Sequence, residues 1–208
     1  MLSVVSKPGT QEKLEILSTD GQYDLACACG TKDSDRRKRG DHGKWIYPVT
    51  LPNGGKSILF KTLISNVCNN DCSYCPLRED SDIRRCSLDA EEIVRVFLDY
   101  TKKYKLMGMF LSSGLIGSPD NTMEQLNRVA RILRNREKYR GYIHLKVIPG
   151  ASDAAITEAV SLSSAVSLNI ETPGADKMAL ATTRMALATT RMALATTRPN
   201  QPIATRYL

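Results

Sequence analysis

No stretch of the 208 residues approaches the roughly 20 consecutive apolar residues that a membrane-spanning helix needs, so a helical span is excluded. The first ten residues carry Lys7 and Pro8 where a secretory leader needs an apolar run, so no leader is expected. A cytoplasmic location is therefore the expectation, with no membrane partner. In a reducing compartment the six cysteines read as metal or redox groups rather than as a disulfide framework. Acidic side chains are in deficit, 22 Asp+Glu against 29 Lys+Arg, and the net charge of +7 fits an anionic partner such as nucleic acid. That is an argument about steering and solubility, not about fold. With 42% hydrophobic and 25% charged residues the chain lies in the globular range, and its length suffices for one domain with a real core.

Against this background the informative stretch is Cys68-Asn69-Asn70-Asp71-Cys72-Ser73-Tyr74-Cys75. Three thiols within eight residues, spaced C-x3-C-x2-C, are too close to belong to separate packed elements. Short thiolate loops of this kind hold iron–sulfur clusters, because the backbone must curl around a compact cube. Three ligands for four irons leave one iron without a protein ligand, and an open coordination position is where a metal centre does chemistry. The alternative is a zinc-stapled nucleic-acid-binding module without catalysis, with Cys86 as fourth ligand. The ten-residue gap before Cys86 contains Pro76 and many charges, unlike the matched short pairs usual for zinc. Otherwise Cys86 is a free thiol near the start of a helix. Cys27 and Cys29 fall on opposite sides of an extended backbone, with no further ligands close in sequence, and read as isolated cysteines in a small-residue turn.

The pattern divides the chain into an N-terminal extension (1–56), a core (57–175) and a repeat-containing tail (176–208). The extension includes an apolar patch, Leu14 to Leu17, that suits a short helix. It also holds the basic run Arg36-Arg37-Lys38-Arg39, a solvated loop or a phosphate contact. Trp45 to Val49 suits a short strand, and Leu51-Pro52-Asn53-Gly54-Gly55 is a turn. From Ser57 the alternation is regular. A strand over 57–67 delivers the cysteine loop. A helix over 87–103 starts with a capping box of Asp89 and Glu92 and has Ile93, Phe97, Tyr100 and Tyr104 on one face. A strand over 107–112 ends in Ser112-Ser113-Gly114, and a helix over 121–138 begins with Asn121 and Glu124. A strand over 142–148, a helix over 152–162 and a strand through Val166, Leu168 and Ile170 complete the series. Strand–helix units repeated in this way predict a parallel sheet, with ligands gathered at the C-terminal strand ends. The cysteine loop, Ser112 to Gly114, and Asn169 with Glu171 would all lie at that rim. His144 and Lys146 share a strand face with Tyr142. His144 reads as a satisfied core residue, and Lys146 as a cation able to meet a carboxylate or phosphate. Residues 178–198 are Met-Ala-Leu-Ala-Thr-Thr-Arg written three times, which lacks the a/d pattern of a coiled coil and reads as low complexity.

The strings KLEILS (13–18), YDLAC (23–27), MFLSSGLIGSPDNTME (109–124), GYIHLKVIPGA (141–151) and SLNIETP (167–173) resemble the DNA modification/repair radical S-adenosylmethionine (SAM) proteins. The resemblance covers roughly 13–173 and implies an α/β fold, a partial (β/α) barrel of radical SAM type. About four strands of a six-unit barrel are recognisable, so a C-terminally truncated, inactive fragment is the expectation. No helix-hairpin-helix DNA-binding signal follows. By the resemblance Cys68, Cys72 and Cys75 hold a 4Fe–4S cluster and SAM chelates the fourth iron. Tyr74 would contact its adenine. Ser112, Ser113 and Gly114 would meet its amino group through the backbone, and Asn169 and Glu171 would hold its ribose. An external one-electron reductant would drive cleavage of SAM to a 5′-deoxyadenosyl radical, acting on nucleic acid, with DNA favoured. No residue is identified as a substrate-side acid or base.

Overall fold

The computed structural model describes residues 8–21, 43–51, 53–169 and 182. Cys27, Cys29, the Arg36–Arg39 run, Glu171 and the repeats other than Thr182 lie outside the described residues. In chain order the elements are α1 (Thr10–Asp20), β1 (Ile46–Thr50), β2 (Lys56–Leu63), α2 (Ala90–Tyr104), β3 (Gly108–Ser112), α3 (Pro119–Arg131), β4 (Tyr142–Lys146), α4 (Asp153–Leu162) and β5 (Ala165–Ser167). The strands form one sheet in the order β1-β2-β3-β4-β5. β2 to β5 are parallel, while β1 returns antiparallel to β2 through a turn with Gly54 at φ +82°. This is the expected α/β arrangement, a partial (β/α) barrel with four parallel strands.

Local chemistry explains the element ends. Asp89 accepts from Glu92 N at 2.8 Å and Glu92 accepts from Asp89 N at 3.0 Å, the capping box read from the sequence. Glu92 also receives Thr10 Oγ1 and Lys13 Nζ, both at 2.9 Å, and so ties α1 to α2. α3 begins earlier than the Asn121–Glu124 reading. Ser118 is the cap, accepting from Asn121 N at 3.1 Å, and Pro119 opens the first turn with its φ already near helical. α3 runs on into one π turn, Ile132–Arg136, closed by Glu137 N on Ile132 O at 3.0 Å. β5 is Ala165–Ser167, so Val166 of the expected strand lies in it and Leu168 beyond it, while Ile170 lies outside the described residues.

The two sheet faces differ. Phe60, Met109, Leu111, Ile143 and Leu145 join Phe97 of α2, Met123 and Leu126 of α3 and Ile156 of α4 in one apolar core. Phe97 is fully buried, edge-on to Phe60 at 5.8 Å and to Tyr139 at 5.1 Å between ring centroids. Neighbouring helices are tied by ion pairs, Arg131 to Glu158 and Arg136 to Glu91, while Arg131 also pairs with Glu124 within α3. Being partly exposed, these contribute little beside the core. Between β3 and β4 the backbones approach so closely that a Cβ on Gly108 would meet Tyr142 O at 2.1 Å. Among the described residues no helix is long and apolar enough to cross a membrane.

Phe97→Ala is expected to lower unfolding free energy by about 3–5 kcal/mol, read from the midpoint in urea. Asp89→Ala, which removes only a cap, is expected to cost about 1 kcal/mol. Equal losses in the two variants would contradict this account of the core.

Candidate metal centre and ligand cavity

The cysteine loop leaves the C-terminal end of β2 and is held on every side. Ser65 O accepts from Gly114 N at 2.8 Å, and Asn69 N donates to Leu115 O at 2.9 Å, so the loop is stitched to the segment after β3. Asn69 Oδ1 also accepts from Gly117 N at 2.7 Å. Asn66 is fully buried and uses both ends of its amide. Its Nδ2 donates to Asp20 Oδ2 at 2.7 Å and Arg84 O at 2.8 Å, while Oδ1 accepts from Cys86 N at 2.7 Å. Arg85 closes the loop from outside. Nη1 donates to Asn66 O and to Leu77 O at 2.8 Å, and Nη2 to Arg78 O at 2.6 Å and Ser81 O at 3.2 Å. One planar guanidinium thus grips backbone on both sides of the cysteine triplet.

Within the loop the chain curls tightly. Cys75 N donates to Cys72 O at 3.0 Å, Arg78 N to Cys75 O at 3.3 Å, and Glu79 N to Asn70 O at 2.8 Å. Leu77 N points at Cys75 Sγ at 3.4 Å, a donor aimed at sulfur of the kind that supports a thiolate ligand. Cys72 is buried, whereas Cys68 and Cys75 are partly open. Burial pushes the Cys72 thiol up, against the pull of hydrogen bonds from Thr182 and Tyr74.

All three cysteines line one cavity of roughly 350 Å³, within the ~300–1,000 Å³ range of small-molecule sites. Its walls include Tyr74, Ser112, Ser113, Gly114 and Asn169, so eight of the nine residues singled out from the sequence come together. The ninth, Glu171, lies outside the described residues. The cavity sits at the C-terminal ends of β2, β3, β4 and β5, as the parallel sheet requires. Gly114 is needed for the fit: a Cβ there would meet Val67 O at 2.3 Å and Cys68 Cβ at 3.2 Å. The carbonyls of this segment are already engaged on one side. Ser112 O accepts from Ile64 N at 2.8 Å, and Gly114 O from the Ser113 hydroxyl at 2.7 Å. Each keeps a second lone pair.

A set of three thiols around one cavity fits an iron–sulfur cube in its donor chemistry. It does not form a single-ion cage: among the described residues no group of three or more His, Cys, Asp or Glu could hold a metal ion. Cys86, the fourth ligand of the zinc alternative, is buried in the apolar core with Sγ 4.0 Å from Lys13 O, and it is not on the cavity wall. Sequence reasoning missed Arg85 and Asn66 as supports, Asp20 as a wall residue, and Thr182. From within the repeats Thr182 is buried and donates to Asp71 Oδ1 at 2.6 Å.

Arg85→Ala is expected to cost about 3 kcal/mol of stability by stranding four carbonyls. It should also speed native-state alkylation of Cys72, followed by site-resolved mass spectrometry. Arg85→Lys, which lacks the fork, should resemble it, and Arg84→Ala should not. Unchanged labelling of Cys72 in Arg85→Ala would show that the clamp is not what orders the loop.

No family model matches the sequence, and no curated protein matches it. Among solved structures, the chain is similar to the FeFe-hydrogenase maturase HydG from Carboxydothermus hydrogenoformans, with TM-score 0.48 and 21% identity over 60% of this chain and 28% of that one. A second crystal structure of HydG gives TM-score 0.48 and 16% identity over 60% and 28%. Methylornithine synthase (PylB) gives TM-score 0.47 and 18% identity over 59% and 36%. The chain therefore spans about a third, 28% to 36%, of the length of these structures.

Proposed function

We propose that the chain is a radical SAM core in which Cys68, Cys72 and Cys75 hold a 4Fe–4S cluster and the adjoining cavity receives S-adenosylmethionine. The observation that carries this reading is the convergence of the three thiols, Ser112 to Gly114 and Asn169 on one cavity at the C-terminal strand ends. When bound, the cluster and SAM together supply reductive formation of a 5′-deoxyadenosyl radical, with one electron from an external donor. The chain's own residues do the rest. Leu77 N supports the Cys75 sulfur, and Gly114 lets backbone come close to the loop. Tyr74, 49% exposed at the cavity wall, offers a ring face for the adenine. Asn169, and with it Glu171, would hold the ribose hydroxyls. Nucleic acid is the substrate class this reading favours, DNA first, with the net charge of +7 as its support.

Anaerobic reconstitution with iron and sulfide tests it. Uptake of about four irons per chain with a brown visible band is expected, lost in Cys68→Ala, Cys72→Ala and Cys75→Ala and kept in Cys86→Ala. Loaded protein given SAM and dithionite should release 5′-deoxyadenosine. A colourless protein carrying a single zinc, lost in Cys86→Ala, would overturn the assignment.

A further inference from the structure

The cysteine loop takes one of its fastenings from far along the chain. Thr182, in the first Met-Ala-Leu-Ala-Thr-Thr-Arg unit, is 3% exposed and lies against the stretch between Cys68 and Cys72. Its hydroxyl donates to Asp71 Oδ1 at 2.6 Å across 111 positions of sequence. The same hydroxyl is hydrogen-bonded to Cys72. A hydroxyl on a carboxylate makes a short, charge-assisted bond, the stronger kind. Arg85 and Asn66 hold the two ends of the loop, and Thr182 reaches its middle.

The place it reaches is chemically awkward. Asp71 directly precedes Cys72, and its carboxylate adds like charge beside a sulfur that must be a thiolate to bind iron. Cys72 is also the buried member of the triplet, whereas Cys68 and Cys75 are partly open. Thr182 answers both demands from one hydroxyl. Its proton faces the carboxylate, and its oxygen stands beside the sulfur. Hydrogen-bonding partners behind a metal ligand orient it, and those around the sulfurs of a cluster help set its potential. Two backbone bonds, Cys75 N to Cys72 O at 3.0 Å and Glu79 N to Asn70 O at 2.8 Å, flank Asp71 and report on its anchorage.

Resting on the radical SAM reading, we propose that Thr182 is a positioning residue for the cluster, holding Asp71 and the Cys72 sulfur in the ligating arrangement. The first repeat unit thereby contributes a side chain to the metal centre. Thr189 and Thr196 occupy the same place in the second and third units, but the bond to Asp71 is made by Thr182.

Native-state hydrogen exchange of the metal-free full chain tests the hold on the loop. A redox titration of the reconstituted chain, followed by electron paramagnetic resonance, tests its effect on the cluster. In Thr182→Val the amides of Cys75 and Glu79 are expected to exchange about tenfold faster, with the urea midpoint of global unfolding unchanged. The cluster should lose iron to a chelator about tenfold faster and be reduced at a more negative potential. Thr182→Ser should restore all three, and Thr189→Val should change none. Asp71→Asn should loosen the same amides yet move the potential the other way, because it removes a negative charge. Unchanged exchange in Thr182→Val, equal effects in Thr189→Val, or no rescue by serine would overturn the proposal. Faster exchange with an unmoved potential would also overturn it, leaving Thr182 a prop for the loop alone. A chain that takes up no iron, with Thr182→Val still loosening the loop, would contradict the cluster reading and leave the Thr182 anchorage standing.

Discussion

The guanidinium of Arg85 is the constraint on which the site depends. The loop that brings three cysteines to one cavity has no regular secondary structure, so its backbone carbonyls lack the partners a helix or strand would give them. Arg85 supplies those partners from a single rigid fork, to Asn66, Leu77, Arg78 and Ser81, and fixes the distance between the two ends of the triplet. Asn66 does the same from the other side, joining the loop to Asp20 at the end of α1 and to Cys86 N. The three cysteines therefore line one cavity in the folded chain, on a loop whose ends are tied down.

The sheet beneath turns that arrangement into a site. Its helix-side face is continuous apolar packing around Phe60, Phe97, Met109 and Leu145, which fixes the strands rigidly. Its other face is also buried and carries Lys61, Phe110 and Lys146 among its side chains. Both meet at the C-terminal strand ends, where Gly114 lets the segment after β3 touch the cysteine loop. A functional centre on strand ends is held more precisely than one on loops alone, and the tie between Ser65 O and Gly114 N extends strand-like contact into the loop itself.

Much of this could be read from the residues because it rests on short-range pattern. The capping box at Asp89 and Glu92, the turn at Gly54 and the strands expected over 107–112 and 142–148 are local signals, and each was found close to where it was expected. The start of α3 was misread because Asn121 and Glu124 mimic a cap, while Ser118 and Pro119 form the true one. Arg85 was illegible for a different reason. It follows Arg84 in a charged run, and nothing in sequence separates the two. Yet Arg84 pairs with Glu12 at 2.5 Å on the surface, whereas Arg85 turns inward to backbone. Long-range partners such as Thr182 with Asp71 leave no periodic trace at all. The site's rim was legible through topology; its supports were not, because they are set by tertiary contacts.

The central claim is that three thiolates leave one corner of an iron cube facing the cavity. Electron paramagnetic resonance of the reduced, reconstituted protein, with SAM labelled by nitrogen-15 or oxygen-17 in its methionyl group, tests this most directly. The account predicts a shifted cluster signal with hyperfine coupling to the labelled amino and carboxylate atoms. A cluster signal that SAM leaves unchanged would contradict it.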